Sequence, residues 1–221
     1  MTALHTLELH PPGPPVATVI VLHGLGADGT DFLPMADEID LSSIGPVRWV
    51  LPRAPVRPVT INGGYAMRAW YDILGTDLAR REDEAGLRDS FAGVHALIER
   101  EIERGVPARR IVLAGFSQGC AITLGAGLRC AHRLAGLAGL SGYLPLADRT
   151  AAERHAANHD VPVFMAHGQR DGIVVPQRGQ AARDALSALG LQVEWHDYPM
   201  EHSVCMEEVQ ALAAWLKRVL A

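Results

Sequence analysis

A chain of 221 residues suits one α/β domain. At that length a core buries roughly 70% of the surface the unfolded chain exposes, so stability requires neither a disulfide nor a metal. The hydrophobic share of 48% and charged share of 20% are those of an ordinary globular protein, and a net charge of −5 without a basic stripe removes the electrostatic case for nucleic-acid binding. Cys120, Cys130 and Cys205 match no zinc or redox spacing and are expected as free thiols in a reducing compartment. The first ten residues lack a basic, apolar signal pattern, and no run reaches the roughly 18 apolar residues of a membrane span, so a cytoplasmic protein without membrane insertion is expected.

Residues 4–9 alternate apolar and polar side chains, as an edge strand does. The Pro-Pro-Gly-Pro-Pro of residues 11–15 reads as a stiff hairpin connection to residues 16–22, an almost wholly apolar run that suits a strand buried on both faces. A second such run occupies residues 47–51. Residues 52–86 then break the rhythm. This irregular insert is a candidate lid or substrate loop, and its charged run Arg80-Arg81-Glu82-Asp83-Glu84 reads as a solvated face or a helix N-terminus.

Leu87, Phe91, Val94, Ile98 and Ile102 recur at helical spacing until Gly105 and Pro107. A buried-strand run at 111–115 is followed by a Gly- and Ala-rich helix at 120–131, suited to close packing. Strand runs at 134–140 and 161–166 precede a helix at 176–189, which opens on proline and stops at Gly190. Residues 191–198 alternate like an edge strand. The final helix, 203–220, gathers Met206, Val209, Leu212, Ala213, Leu216 and Leu220 on one face. Repeated strand–helix alternation without an internal repeat predicts one α/β domain over 1–221, with a mostly parallel sheet and helices on both faces.

Gly115-Phe116-Ser117-Gln118-Gly119 has the G-x-S-x-G form, directly after a buried strand and directly before a helix. That setting exposes Ser117 as a candidate nucleophile at the carboxyl edge of the sheet, with helix N-terminal amides beside it. A serine hydroxyl needs an imidazole to take its proton, and on such a scaffold the partners follow in the order acid, then histidine. His5, His10, His23 and His95 precede the serine. His132, His155 and His159 fall in helical or surface segments, His167 comes too early, and His196 lies within a strand. His202 sits in the loop between the last strand and the last helix, the required place. Asp171 follows the strand run 161–166 and is the matching acid. Asp197 and Glu201 lie too near His202 in sequence, and Asp160 sits at the wrong strand edge.

His23-Gly24-Leu25-Gly26 follows the strand at 16–22, and the main-chain amides of Leu25 and Gln118 are the candidate oxyanion donors. His23 reads either as a brace for this loop or as an ordinary packed histidine. Within the insert, Ile61, Tyr65, Trp70, Ile73 and Leu74 are candidates for an acyl-side wall or for core.

These segments, together with His167-Gly168, Val174-Val175-Pro176, Glu201-His202-Ser203 and Arg68-Ala69-Trp70-Tyr71-Asp72-Ile73, run in order over nearly the whole chain. The sequence resembles the acyl-protein thioesterase and small bacterial carboxylesterase (phospholipase/carboxylesterase) family. The resemblance implies an α/β-hydrolase fold with a minimal lid and a catalytic triad that hydrolyses carboxylic esters or thioesters, lysophospholipids included, through an acyl-serine. It implies no cofactor or metal, and often a homodimer. Cys120 departs from the glycine or alanine common among relatives, and Met200-Glu201 falls where relatives vary. A peptidase or acyl transferase would use the same triad. A binding module would have no need of all three residues, and a metallohydrolase built on His202 and Cys205 would lack an H-E-x-x-H set.

Overall fold

The computed structural model describes residues 4–75 and 82–221. In chain order the elements are β1 (Thr6–Leu9), β2 (Ala17–Leu22), α1 (Leu33–Glu38), β3 (Val47–Pro52), β4 (Val56–Val59), β5 (Tyr65–Arg68), α2 (Glu84–Glu103) and β6 (Ile111–Phe116). Then come α3 (Gln118–Arg129), β7 (Gly136–Leu140), α4 (Ala147–Glu153), β8 (Val163–Gly168), α5 (Pro176–Ala188), β9 (Val193–Tyr198) and α6 (Met206–Val219). Seven strands form one sheet in the order β1-β3-β2-β6-β7-β8-β9. All neighbours run parallel except β1, which is antiparallel to β3. This is the α/β-hydrolase architecture that the strand–helix alternation and the family resemblance led us to expect.

Period-two alternation sorts the central strands between two cores. Ile20, Leu22, Val50 and Leu113 face one side, under α2, α3 and α5, while Val19, Val21, Leu51 and Val112 face the other, under α1 and α6. Buried on both faces, β2 and β6 read as almost wholly apolar runs. Glu101 of α2, itself fully buried, anchors the helix to the sheet. Its carboxylate accepts from Thr18 Oγ1 of β2 at 3.1 Å and Arg48 Nη1 of β3 at 2.6 Å, and from Arg104 Nη1 at 2.9 Å.

Two expectations change. Residues 11–15 are not a hairpin connection, since β1 pairs with β3, in the register Thr6↔Pro52 to Leu9↔Trp49. Pro11, Pro12, Pro14 and Pro15 hold φ near −65° and cannot form the primed turns that two-residue hairpins need, so the chain is carried past β3 instead. The insert at 52–86 is not wholly irregular: β4 and β5 pair antiparallel, from Val56↔Arg68 to Val59↔Tyr65, around Gly63 and Gly64 at φ 66° and 80°. The short helices α1 and α4 carry too few turns for a periodic signal. In the charged run, Asp83 caps α2 by accepting from Gly86 N at 3.0 Å, whereas Arg80 and Arg81 lie outside the described residues. No helix among the described residues is long and apolar enough to cross a membrane.

The first turn of α6 contains Glu208, fully buried, and among the described residues neither of its carboxyl oxygens has a hydrogen-bond partner. Burial pushes the carboxyl up to about 8. A proton held more tightly in the folded than in the unfolded chain makes stability fall as pH rises between the ordinary 4.5 and about 8. Glu208→Gln is therefore expected to flatten the loss of stability between about pH 5 and about pH 9, measured as urea midpoints. An unchanged slope in the variant would assign the loss to other groups.

Candidate active site

From β2 the chain moves outward to β3, then returns across β2 to β6 and continues outward on the other side. The strand order thus reverses between β2 and β6, and a crevice opens at the carboxyl ends of these two strands. Leu22 pairs with Gly115 there, so the loop after β2 and the turn after β6 face each other across one edge.

Ser117 forms the turn between β6 and α3 at φ 57° and ψ −116°, a region that costs a side-chain-bearing residue about 1–3 kcal/mol. The flanking glycines make it possible. A Cβ at Gly119 would run into Leu22 O, and one at Gly115 into Gly119 O. The turn is pinned by Ser117 N–H donating to Leu140 O at 2.9 Å. Gln118 opens α3, so its amide belongs to the orphan donors of a helix N-terminus.

His202, in the loop after β9, brings Nε2 to 3.0 Å from Ser117 Oγ and Nδ1 to 2.7 Å from Asp171 Oδ2. An ionised carboxylate only accepts, so Nδ1 carries the proton and Nε2 turns a lone pair toward the serine. The Phe116 ring packs on the imidazole with centroids 4.7 Å apart. Asp171 follows β8 and is almost wholly buried. Its other oxygen accepts from Ile173 N at 2.9 Å and Val174 N at 2.8 Å, which replaces the lost hydration. His167 Nε2 approaches Oδ2 at 3.4 Å and bonds Val174 O at 2.7 Å, while burial holds its imidazole below the usual range and keeps it neutral. Ser117, Asp171 and His202 are thus brought into one hydrogen-bonded chain.

On the β2 side, His23 Nε2 accepts from Ala54 N at 3.0 Å, which fixes the tautomer. Nδ1 must then donate to Gly24 O, 2.7 Å away. Burial depresses this imidazole, in keeping with a neutral ring. Of the two readings left open for His23, the brace is the one these bonds describe. Gly26 N–H donates to Arg68 O at 2.8 Å and ties the loop to β5. Leu25 and Gln118 both line a cavity of about 1130 Å³ that opens over Ser117 and His202.

Ile61 and Ile73 stand on that cavity wall, and three other candidates do not. Trp70 is fully buried, its indole Nε1 donating to His23 O at 2.8 Å, because a chain this tightly bonded behind the loop turns the ring into the core. Tyr65 projects outward from β5 and is 70% exposed, and Leu74 is half-exposed outside the wall. The rest of the apolar wall comes from Phe32 and Met35 near α1, Ile173 and Val175 after Asp171, and Met206 and Val209 of α6. Sequence spacing gave no signal for these. Nor did it reveal the Gln118 side chain, which accepts from Trp70 N at 3.1 Å and donates to Tyr71 O at 3.0 Å. Cys120 packs beside Gly139 and Gly142, with burial pushing its thiol up to about 12. Among the described residues no group of three His, Cys, Asp or Glu side chains could hold a metal ion.

Since only a missing Cβ lets α3 start this close to β2, Gly119→Ala is expected to cost about 3 kcal/mol of stability and to misplace the serine turn. Urea unfolding beside ester turnover checks this. A variant of wild-type midpoint and wild-type rate would show that the turn tolerates the methyl.

The sequence profile of the phospholipase/carboxylesterase family matches residues 9–220. Acyl-protein thioesterase 1 of Yarrowia lipolytica is 38% identical over 206 residues, 91% of either chain. Among solved structures, Arabidopsis thaliana SOBER1 superposes with a TM-score of 0.88 at 31% identity, covering 93% of this chain and 99% of that one. Zea mays acyl-protein thioesterase 2 gives 0.85 at 30% identity, covering 98% and 99%. The chain belongs to the phospholipase/carboxylesterase family, and is a serine hydrolase of carboxylic esters or thioesters.

Proposed function

We propose that Ser117 is the nucleophile of this hydrolase, His202 its general base and acid, and Asp171 the group that orients and stabilises the imidazolium. The observation that carries the reading is the continuous chain from Asp171 Oδ2 through His202 to Ser117 Oγ, at 2.7 and 3.0 Å. Ser117 Oγ bonds to the acyl carbon while its proton passes to His202 Nε2. The carbonyl oxygen becomes an oxyanion held by the Leu25 and Gln118 amides, each such donor being worth about 10²–10³ in turnover. Collapse breaks the ester or thioester bond, and the leaving alcohol or thiol takes the proton from Nε2. Water then attacks the acyl-serine by the same route and releases the acid. No cofactor enters this sequence of steps.

In this reading the acyl group lies along Ile61 and Ile73 in the apolar cavity. Substrates are acylated small molecules or acylated proteins, consistent with the thioesterases among the relatives. Ester release is favoured over amide release, which separates the reading from a peptidase.

Treatment with a fluorophosphonate is expected to displace fluoride and leave a single adduct, mapped by intact mass and peptide analysis to Ser117. Ser117→Ala should lose the adduct and at least about 10⁴-fold of the hydrolysis of 4-nitrophenyl butyrate. An adduct elsewhere, or activity surviving in the variant, would reject Ser117 as nucleophile. We propose in addition a cytoplasmic homodimer, on the family resemblance. Sedimentation at about micromolar protein should give twice the chain mass, and a monomeric mass would refute the assembly.

A further inference from the structure

The cavity over Ser117 is mostly apolar, yet its wall contains Arg178, from the first turn of α5. The guanidinium carbon lies 4.1 Å from the centroid of the Tyr143 ring. Tyr143 is itself fixed by a 2.6 Å bond between its hydroxyl and that of Tyr71, and both tyrosines border the cavity. The ring meets the guanidinium through a cation–π contact, which uses none of its N–H donors.

Those donors lack an acid. Arg178 forms no ion pair among the described residues, whereas Arg53, Arg68, Arg88 and Arg129 each do. Glu82 lies close enough to feel the Arg178 charge, but it accepts from the Leu146 amide at 3.0 Å and makes no ion pair with the guanidinium. The carboxylates on the cavity wall, Asp31 and Glu38, come from the α1 side. Arg178 is thus the one permanent cation of this wall among the described residues. A half-buried guanidinium seated over an aromatic ring, its donors unspent, is suited to a bidentate bond with a carboxylate or phosphate.

We infer that Arg178 forms an anion subsite of the catalytic cavity, so that the preferred esters or thioesters carry a carboxylate or phosphate several bonds from the scissile carbonyl. This rests on the reading of the cavity as the site of Ser117 chemistry. An uncharged alkyl chain would leave the cation unmatched, whereas an acyl chain or leaving group ending in an anion would satisfy it. Arg178 acts here as a specificity-determining residue and takes no part in bond making.

The test compares charged and neutral esters of nearly equal size. On the acyl side, the 4-nitrophenyl monoester of suberic acid is set against its methyl ester. On the alcohol side, 4-butyryloxyphenylacetate is set against its methyl ester. The quantity read is the ratio of kcat/KM, charged over neutral, for wild type, Arg178→Met and Arg178→Lys, and it cancels any loss of folded enzyme. Wild type is expected to prefer the charged ester in at least one arm, which also tells on which side of the scissile bond the anion sits. The ratio should fall about tenfold in Arg178→Met, carried mainly by KM, with part of it kept in Arg178→Lys. No preference in either arm of the wild type, or a ratio untouched by Arg178→Met, overturns the inference. If neutral-ester turnover disappears in Ser117→Ala while the ratio ignores Arg178, the subsite alone is wrong. If turnover survives in Ser117→Ala, the underlying reading is wrong.

Discussion

The contact on which the site depends is the near collision of the α3 N-terminus with the end of β2. Gly119 lies so close to Leu22 O that no Cβ fits between them, and Gly115 is just as tightly opposed to Gly119 O. Only with α3 this near the sheet does the Gln118 amide share a cavity with the loop after β2. The same closeness forces Ser117 into a left-handed conformation that a serine would otherwise avoid. The strain persists because its surroundings over-determine it, through the Ser117 amide on Leu140 O and a helix buried along almost its whole length.

A second constraint is the burial of polar groups that cannot be left unpaired. Asp171 has lost nearly all contact with water and recovers its hydrogen bonds from two amides and an imidazole. Because those amides belong to Ile173 and Val174, the loop that orients the carboxylate is also a loop that walls the cavity. His23 works the same way on the opposite side, since the bond it accepts from Ala54 N determines which of its nitrogens holds Gly24 O. In the proposed mechanism neither group needs to move, which is what electrostatic preorganisation asks of a site.

Much of this was legible because buried parallel strands have a distinctive sequence. The runs that became β2, β3, β6, β7 and β8 are largely apolar, and strand ends in such a sheet are where chemistry collects. Ser117, Asp171 and His202 could therefore be chosen by position in the alternation, without any contact being known. The pairing of β1 with β3 was not legible, because sequence neighbours pair more often than not and nothing local reveals that a third strand intervenes. The cavity wall was illegible for a different reason. Ile73 and Trp70 are both large apolar residues of one loop, and what separates them is where the backbone turns, which is decided by the distant Gln118 side chain. Phe116 fills a position that the motif leaves open, yet it packs on the histidine.

That Gln118 contact ties specificity to chemistry. Its amide is the proposed oxyanion donor, while its side chain holds Trp70 N and Tyr71 O of the insert. Tyr71 in turn bonds Tyr143, on which Arg178 lies. One residue therefore joins the Ser117 turn to the wall of the cavity. A bound group that shifted Tyr71 would pull on the residue whose amide is the proposed oxyanion donor, and a displacement of even about 1 Å at such a donor is costly. Substrates that leave the tyrosine pair undisturbed keep the proposed donor in place, so in this mechanism fit to the tyrosine wall and turnover are coupled through Gln118.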